Sequence, residues 1–398
     1  MELRGSRWGS RPVVGRRLVT VALALALSAI LAGCLPPPPP PSTYTLTVHV
    51  IGTGAGTVTS LQPGITCTST CSASFSANLR VNLSATAKVG SLVVGFSGDC
   101  SGYQVCDVVL NGNKTVNVAF LGAPVKYTSS WGSTGTNNGQ FSNPRYIATD
   151  SSGNVYVTDS GNNRVEKFDR TGTFLTAWGT FGSGSGQFNN PLGIVVDGAN
   201  VVYVADHGNG RVEKFDPSGA FLGSWSNPSA YALATDGSGH VYVTDDAQCL
   251  VRKSDSNGTL LTSWGSTCGL TVGAFEYPRG IDVDSSGNVY VSDDYGFRVQ
   301  RFDANGKYLG FWGGYGTVLG KLDYPEGIVI DGANHVFVAD SAAQRVQVFD
   351  TTGHLLGAWG GYGSTGGLMI QPWSVTIGPF GDVYVVDLGA KKVDRYTS

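Results

Sequence analysis

The chain has 398 residues, 41% of them hydrophobic, with 26 Lys+Arg against 29 Asp+Glu and a formal net charge of −3. This mildly acidic balance gives no general attraction to nucleic acid, whose binding rests on clustered Lys and Arg. Fifty-seven glycines and short apolar alternations point to an all-β chain rich in turns, long enough for two domains.

Residues 1–33 carry Arg4, Arg7, Arg11, Arg16 and Arg17 against one acid, then the apolar run "LVTVALALALSAILAG". A charged start, a short apolar stretch and a small-residue cleavage site are the pattern of a signal peptide for export. The run is too short for a good membrane span. The residues "LAGC" resemble the lipobox of bacterial lipoproteins, which implies cleavage before Cys34 and lipidation of its thiol. The expected location is therefore extracytoplasmic, with a lipid anchor in a bacterial membrane or cell surface. Cleavage at another small residue would instead leave Cys34 a spare thiol. Residues 34–42 continue into "PPPPPPS", expected to form an extended polyproline stalk of about 3 Å per residue.

With Cys34 assigned to the anchor, Cys67, Cys71, Cys100, Cys106, Cys249 and Cys268 remain. An even number in an exported chain suggests disulfides. His49, His207, His240, His335 and His354 lie far from the cysteine pairs, so no zinc spacing is present. No metal and no cofactor are expected.

Residues 43–122 alternate as strands do in "YTLTVHV", "GTVTS", "RVNLSATA", "LVVGF" and "KTVNVAF". Through "GAGTVTS", "CTSTCSASF", "GFSGDCSG" and "NKTVNVAF" the segment resembles the internalin B-repeat-like modules of bacterial surface proteins. Cys67–Cys71 and Cys100–Cys106 would close short loops, a pairing preferred to long-range alternatives. So small a domain buries a limited core, and such staples help it persist outside the cell. The module reads as a spacer or adhesion element.

Residues 125–398 repeat one phrase, clearest at "GNVYVTDSGNNRVEKFDRTGTFLTAWG". The aspartates closing its second strand are Asp159, Asp206, Asp245, Asp293, Asp340 and Asp387, evenly spaced except for a shorter third repeat. A fixed period with four short strands per unit is the signature of a propeller blade. Inner strands are expected from Pro144, Pro191, Pro228, Pro278, Pro325 and Pro372. The phrases "NPLGIVVD", "VYVADHGNGRVEKFD" and "GSW" resemble NHL repeats, whose tandem copies form six-bladed propellers. The outer strands of five repeats end in Trp178, Trp225, Trp264, Trp312 and Trp359, while Trp131 precedes the first full repeat. Residues 125–132 are therefore expected to pair with "KVDRYTS" and complete the last blade.

Arg164, Arg211, Arg298 and Arg345, with Lys392, follow their closing aspartates at a fixed distance, and Leu250 is the exception. Recurrence in nearly every blade marks them as ties between the loop of one blade and its neighbour. The hairpin aspartates suit turns. Cys249 and Cys268 of the third unit should emerge on one face and pair.

A site should lie where the repeats differ. The residues after the prolines are Arg145, Leu192, Ser229, Arg279, Glu326 and Trp373; those after the closing aspartates are Ser160, His207, Asp246, Asp294, Ser341 and Leu388, with Tyr295 beside Asp294. From these, Arg145, His207, Asp246, Arg279, Asp294, Tyr295, Glu326 and Trp373 are the candidate ligand-binding residues of a mixed-charge channel mouth. The resemblance also brings in the peptidyl-hydroxyglycine amidating lyases, whose zinc is held by three histidines at the mouth. Only His207 stands at such a loop, and no nucleophile, base and orienting trio is recognisable, so no catalytic residue is assigned. RNA binding, known for intracellular relatives, conflicts with export. The function expected is a monomeric, membrane-anchored binding scaffold for a protein, peptide or cell-envelope glycan, without nucleic acid. The alternative is a lyase or hydrolase acting at the mouth.

Overall fold

The alternating segments become eight four-stranded sheets. A computed structural model describes residues 42–397 apart from 53, 89, 90, 103, 123, 266 and 267. The stretches expected to be a signal peptide, a lipidated Cys34 and a proline stalk lie outside the described residues.

Two sheets form the small module. One joins Thr43–Ile51, Cys71–Ser76, Ser91–Gly98 and Lys114–Gly122; the other joins Gly56–Ser60, Thr66–Cys67, Arg80–Ala87 and Val105–Val109. Alternate residues from both, among them Leu46, Val58, Leu83, Val108 and Val118, share one core. Gly56 is needed there, because a Cβ would come within 2.0 Å of the Phe120 ring. Cys67–Cys71 and Cys100–Cys106 are both bonded.

The other six sheets are the blades of a β-propeller. Their inner strands are Pro144–Thr149, Pro191–Val196, Ala230–Thr235, Pro278–Val283, Pro325–Ile330 and Pro372–Ile377. Each packs beside the next, and the sixth packs beside the first. The first five blades are continuous in sequence. The sixth takes its outer strand, Lys126–Trp131, from the other end of the repeat array: Val393 pairs with Trp131 and Tyr396 with Tyr127. Closure of this kind leaves no sheet edge at the seam.

The recurrent tryptophans lock blade to blade. Trp131 covers Gly172 of the first blade, where a Cβ would lie 2.5 Å from the indole and φ is +92°. Only glycine meets both demands. The same contact recurs at Trp178 and Gly219, Trp225 and Gly258, Trp264 and Gly306, and Trp312 and Gly353. At the seam two distant segments replace the hairpin, and Trp359 packs on Tyr396 instead, with ring centroids 5.5 Å apart.

The repeated arginines hold the crossovers between blades. Arg345 donates from Nε to Asp340, 2.7 Å, and from its outer nitrogens to the carbonyls of Thr317, Val318 and Lys321 in the crossover before its blade. Arg164, Arg211 and Arg298 do the same. The third repeat is short because its crossover, between Trp225 and Ala230, is abbreviated. Leu250 therefore has no loop to grip. The Cys249–Cys268 bond joins that blade to the crossover following it.

The register corrects one expectation. Ala230 pairs with Asp245 as Pro144 pairs with Asp159, so the third inner strand begins at Ala230, not at Pro228. Tyr231, not Ser229, is the counterpart of Arg145.

Candidate functional site

In the inner strand of every blade the pairing register slips just after the first residue. Such a bulge leaves residues out of the ladder and re-aims their side chains. Here it presents Arg145, Leu192, Tyr231, Arg279, Glu326 and Trp373 as a ring at one end of the axis. In three blades a hydroxyl on the second strand stabilises the bulge. Thr158 accepts from the Tyr146 N–H at 2.9 Å and donates to the Leu192 carbonyl at 2.6 Å. Thr244 and Ser292 repeat this, reaching the carbonyls of Arg279 and Glu326. The scaffold thus fixes the backbone under each variable side chain.

Tyr146 crosses the ring. Its hydroxyl donates to the Arg279 carbonyl on the opposite blade, 2.9 Å away, and its ring meets Tyr231 edge to face at 6.0 Å. Both phenols are buried and held above the ordinary tyrosine range, first by that burial. They form a floor under the mouth.

The eight candidates fall into two sectors. In one, the Arg145 guanidinium lies 4.1 Å from the Trp373 ring centroid. Lys391, which the sequence reading did not single out, is held below the usual lysine range by burial and then by Arg145. In the other, Arg279 stacks on Tyr231 at 4.2 Å and pairs with Asp246 at 3.2 Å and Asp294 at 3.6 Å. His207 hydrogen-bonds through Nδ1 to the Ala230 carbonyl, its ring 6.0 Å from Tyr231. Glu326 is only 4% exposed; burial, then the charge of Asp294, raises its pKa to about 8. Burial likewise raises Asp294 to about 6, against the pull of Arg279. Glu326 Oε2, Asp294 Oδ1 and the Nε atoms of Arg145 and Arg279 are buried with no hydrogen-bond partner within the protein.

These shifts give a pH test. A carboxyl with a raised folded-state pKa stabilises the fold below its unfolded pKa and loses that contribution as pH rises through the folded value. Between about pH 4.5 and 8 the native chain should therefore lose stability on account of Glu326. Glu326→Gln removes the ionisation, so its melting temperature should gain on the parent's from pH 5 to about pH 8 and then level off. Parallel melting curves would refute the assignment.

Tyr295 is 48% exposed and belongs to a row of aromatics running from the mouth towards the rim. Its ring lies 4.9 Å from Tyr277 and 5.4 Å from Tyr324; Phe297 continues the row at 5.4 Å from Tyr324 and 4.9 Å from Tyr315. At the inner end Tyr277 lies 5.4 Å from the Arg279 guanidinium. Phe297 and Tyr324 hold φ of +51° and +56°. That left-handed region costs a non-glycine residue about 1–2 kcal/mol and is best tolerated by Asn or Asp. Asn163 and Gly210 fill the position of Phe297 in the first two blades, and Asn190 fills that of Tyr324 in the second. Sequence reading missed this row because its members come from three loops that only ring closure brings side by side. It missed Tyr231 because the third repeat was aligned on its proline; counting back from Asp245 recovers it.

His240 and His335 lie elsewhere, each bonded through Nδ1 to a hairpin aspartate, Asp236 or Asp331, at 2.8 Å. A cleft of about 1070 Å³ also opens away from the mouth, lined by residues 84–88 of the module and by Trp359 and Tyr396. Among the described residues that line it there is no carboxylate or histidine.

Comparison with known proteins gives partial family matches. The profile of the SMP-30/Gluconolactonase/LRE-like region matches residues 134–247, and that of the NHL repeat matches residues 275–302 and 322–349. No curated protein matches in sequence. Among solved structures, one described as a streptogramin B lyase is 14% identical with a TM-score of 0.51, covering 69% of this chain and 98% of that one. A protein of unknown function from Bacteroides thetaiotaomicron is 12% identical with a TM-score of 0.53, covering 81% and 94%. At such identities the likeness shows the fold alone, a β-propeller, and the NHL matches mark two of its repeats.

Proposed function

We propose that the chain is a recognition module, held outside the cytoplasm by its lipidated Cys34 and binding an extended polar ligand of the cell envelope at the propeller mouth. One observation carries this reading: buried atoms of Arg145, Asp294 and Glu326 gather there with no hydrogen bond from the protein, and Arg279 Nε has only its 3.6 Å ion pair with Asp294. Buried polar groups are nearly always hydrogen-bonded, and unmet ones need a reason. A ligand bearing hydroxyl or amide groups would complete them. Elsewhere the blades repeat the same ties, as a scaffold should.

The probe is a soluble muropeptide carrying a disaccharide and a tetrapeptide, added to the full-length chain. It should raise the melting temperature of the parent by several degrees and that of Arg279→Ala by less than half as much. No shift, or an equal shift in the variant, would overturn the reading.

A second reading rests on the proton held by Glu326 beside a more acidic Asp294, pKa values set apart as an acid and base require. Under it the mouth is a lyase or hydrolase. Mass spectrometry of the incubated muropeptide would then show new products that vanish with Glu326→Gln; an unchanged spectrum supports binding alone.

A further inference from the structure

We infer that the row Tyr277, Tyr295, Tyr324, Phe297 and Tyr315 is a binding platform for an uncharged pyranose oligosaccharide, laid outward from the mouth with its terminal sugar at Glu326. The inference rests on the reading of the mouth as a recognition site and adds to it the class of ligand.

Four arguments lead there. The rings form one continuous exposed surface, with Tyr277, Tyr295, Tyr324 and Tyr315 at 39%, 48%, 37% and 70% exposure. Exposed apolar patches of this kind mark interaction sites. Two of the five, Phe297 and Tyr324, set aromatic rings into left-handed loop positions that the scaffold repeats and that other blades fill with Asn163, Gly210, Cys249, Gln344, Lys391, Asn190 and Ser229; the conformation disfavours aromatics, so the rings rather than the backbone are particular to this sector. Phe181 and Tyr362 fill the same crossover position as Tyr315 and are exposed, yet Asn163 and Gln344 stand in their blades where Phe297 stands here. The row is therefore individual to the fourth and fifth blades.

The chemistry of its inner end selects the ligand. Glu326 Oε2, Asp294 Oδ1 and Asp323 Oδ1 are buried without protein partners, three acceptors beside the platform. Asp246, Asp294 and Asp323 outnumber Arg279 in this sector, which repels phosphates and uronates. The segment of the ligand lying on the platform must thus present many O–H donors, carry no negative charge and offer flat C–H faces to aromatic rings. A pyranose chain has all three properties. A proline-rich peptide has the apolar faces but no backbone N–H at proline and few hydroxyls.

The test is calorimetric titration of the full-length chain at pH 7 with chitotetraose and cellotetraose, with tetragalacturonate and a proline-rich decapeptide as comparators. At least one neutral tetrasaccharide should bind, tenfold or more tighter than tetragalacturonate. Tyr295→Ala should weaken it at least tenfold and Phe181→Ala less than twofold. Phe297→Gly, which relieves the left-handed strain, should weaken binding while leaving the melting temperature unchanged or higher; a purely structural ring would lower it. Absence of binding by both neutral sugars, equal affinity in Tyr295→Ala, or a Tyr295-dependent preference for the decapeptide would overturn the inference. If the muropeptide shift then persists and still depends on Arg279, the glycan assignment alone has failed; if that shift is absent too, the mouth reading has failed with it.

Discussion

Tyr396→Ala lowers the stability of the propeller by about 3–5 kcal/mol, the range for deleting a buried aromatic side chain. For a domain of this size that is roughly 10 °C in melting temperature. Tyr396 is 1% exposed, its ring lies 5.9 Å from Tyr127 and 5.5 Å from Trp359, and its hydroxyl donates to the Gly367 carbonyl at 3.1 Å. It sits where the last blade is completed by strand pairing between distant segments. Phe349→Ala is the control, because Phe349 pairs with Val336 as Tyr396 pairs with Val383, in a blade whose strands are continuous. Both variants should lose similar stability. Only Tyr396→Ala should expose Lys126–Trp131 to brief protease treatment under native conditions, since opening the seam frees two edges. Equal cleavage in both variants, or a melting shift under 2 °C, would show that the seam is not the weak point.

Asp340→Ala should cost about 3–5 kcal/mol, the expected penalty for leaving one charge of a buried pair uncompensated. Asp340 is fully buried and Arg345 is 2% exposed. The carboxylate accepts from Arg345 Nε at 2.7 Å, Gln347 Nε2 at 2.9 Å and the Asp323 N–H at 2.6 Å. Without it Arg345 still reaches the crossover carbonyls but carries an unbalanced charge. Hydrogen exchange should therefore rise first at the amides of Gly316 and Leu322, which bond within that crossover. Removing both charges in Asp340→Ala/Arg345→Leu should recover part of the loss. A double variant as unstable as the sum of its singles would indicate that packing, not charge balance, sets the cost.

The sequence by itself determined the all-β class, the six blades and the identity of the closing strand. Those features repeat with a fixed period, and each repeat must bury the same faces against a neighbour, so the pattern is written once per blade. Trp131, lying before the first full repeat, showed where the sixth outer strand came from. Recurrence also assigned Asp340 and Arg345 to structure, and it exposed Leu250 as the exception without explaining it. The explanation, an abbreviated crossover with no carbonyls to hold, needed the coordinates.

Only the tertiary structure decided what the mouth is made of. Ring positions depend on strand register, and one shift of two residues in the third blade replaced Ser229 by Tyr231. The contact between Tyr146 and the Arg279 carbonyl spans opposite blades, and the aromatic row joins three loops. Neither follows any sequence period, because proximity there is created by closing the ring and not by spacing along the chain. The same is true of the raised pKa of Glu326: its charge is set by burial and by Asp294 and the two arginines, three neighbours that lie on other blades.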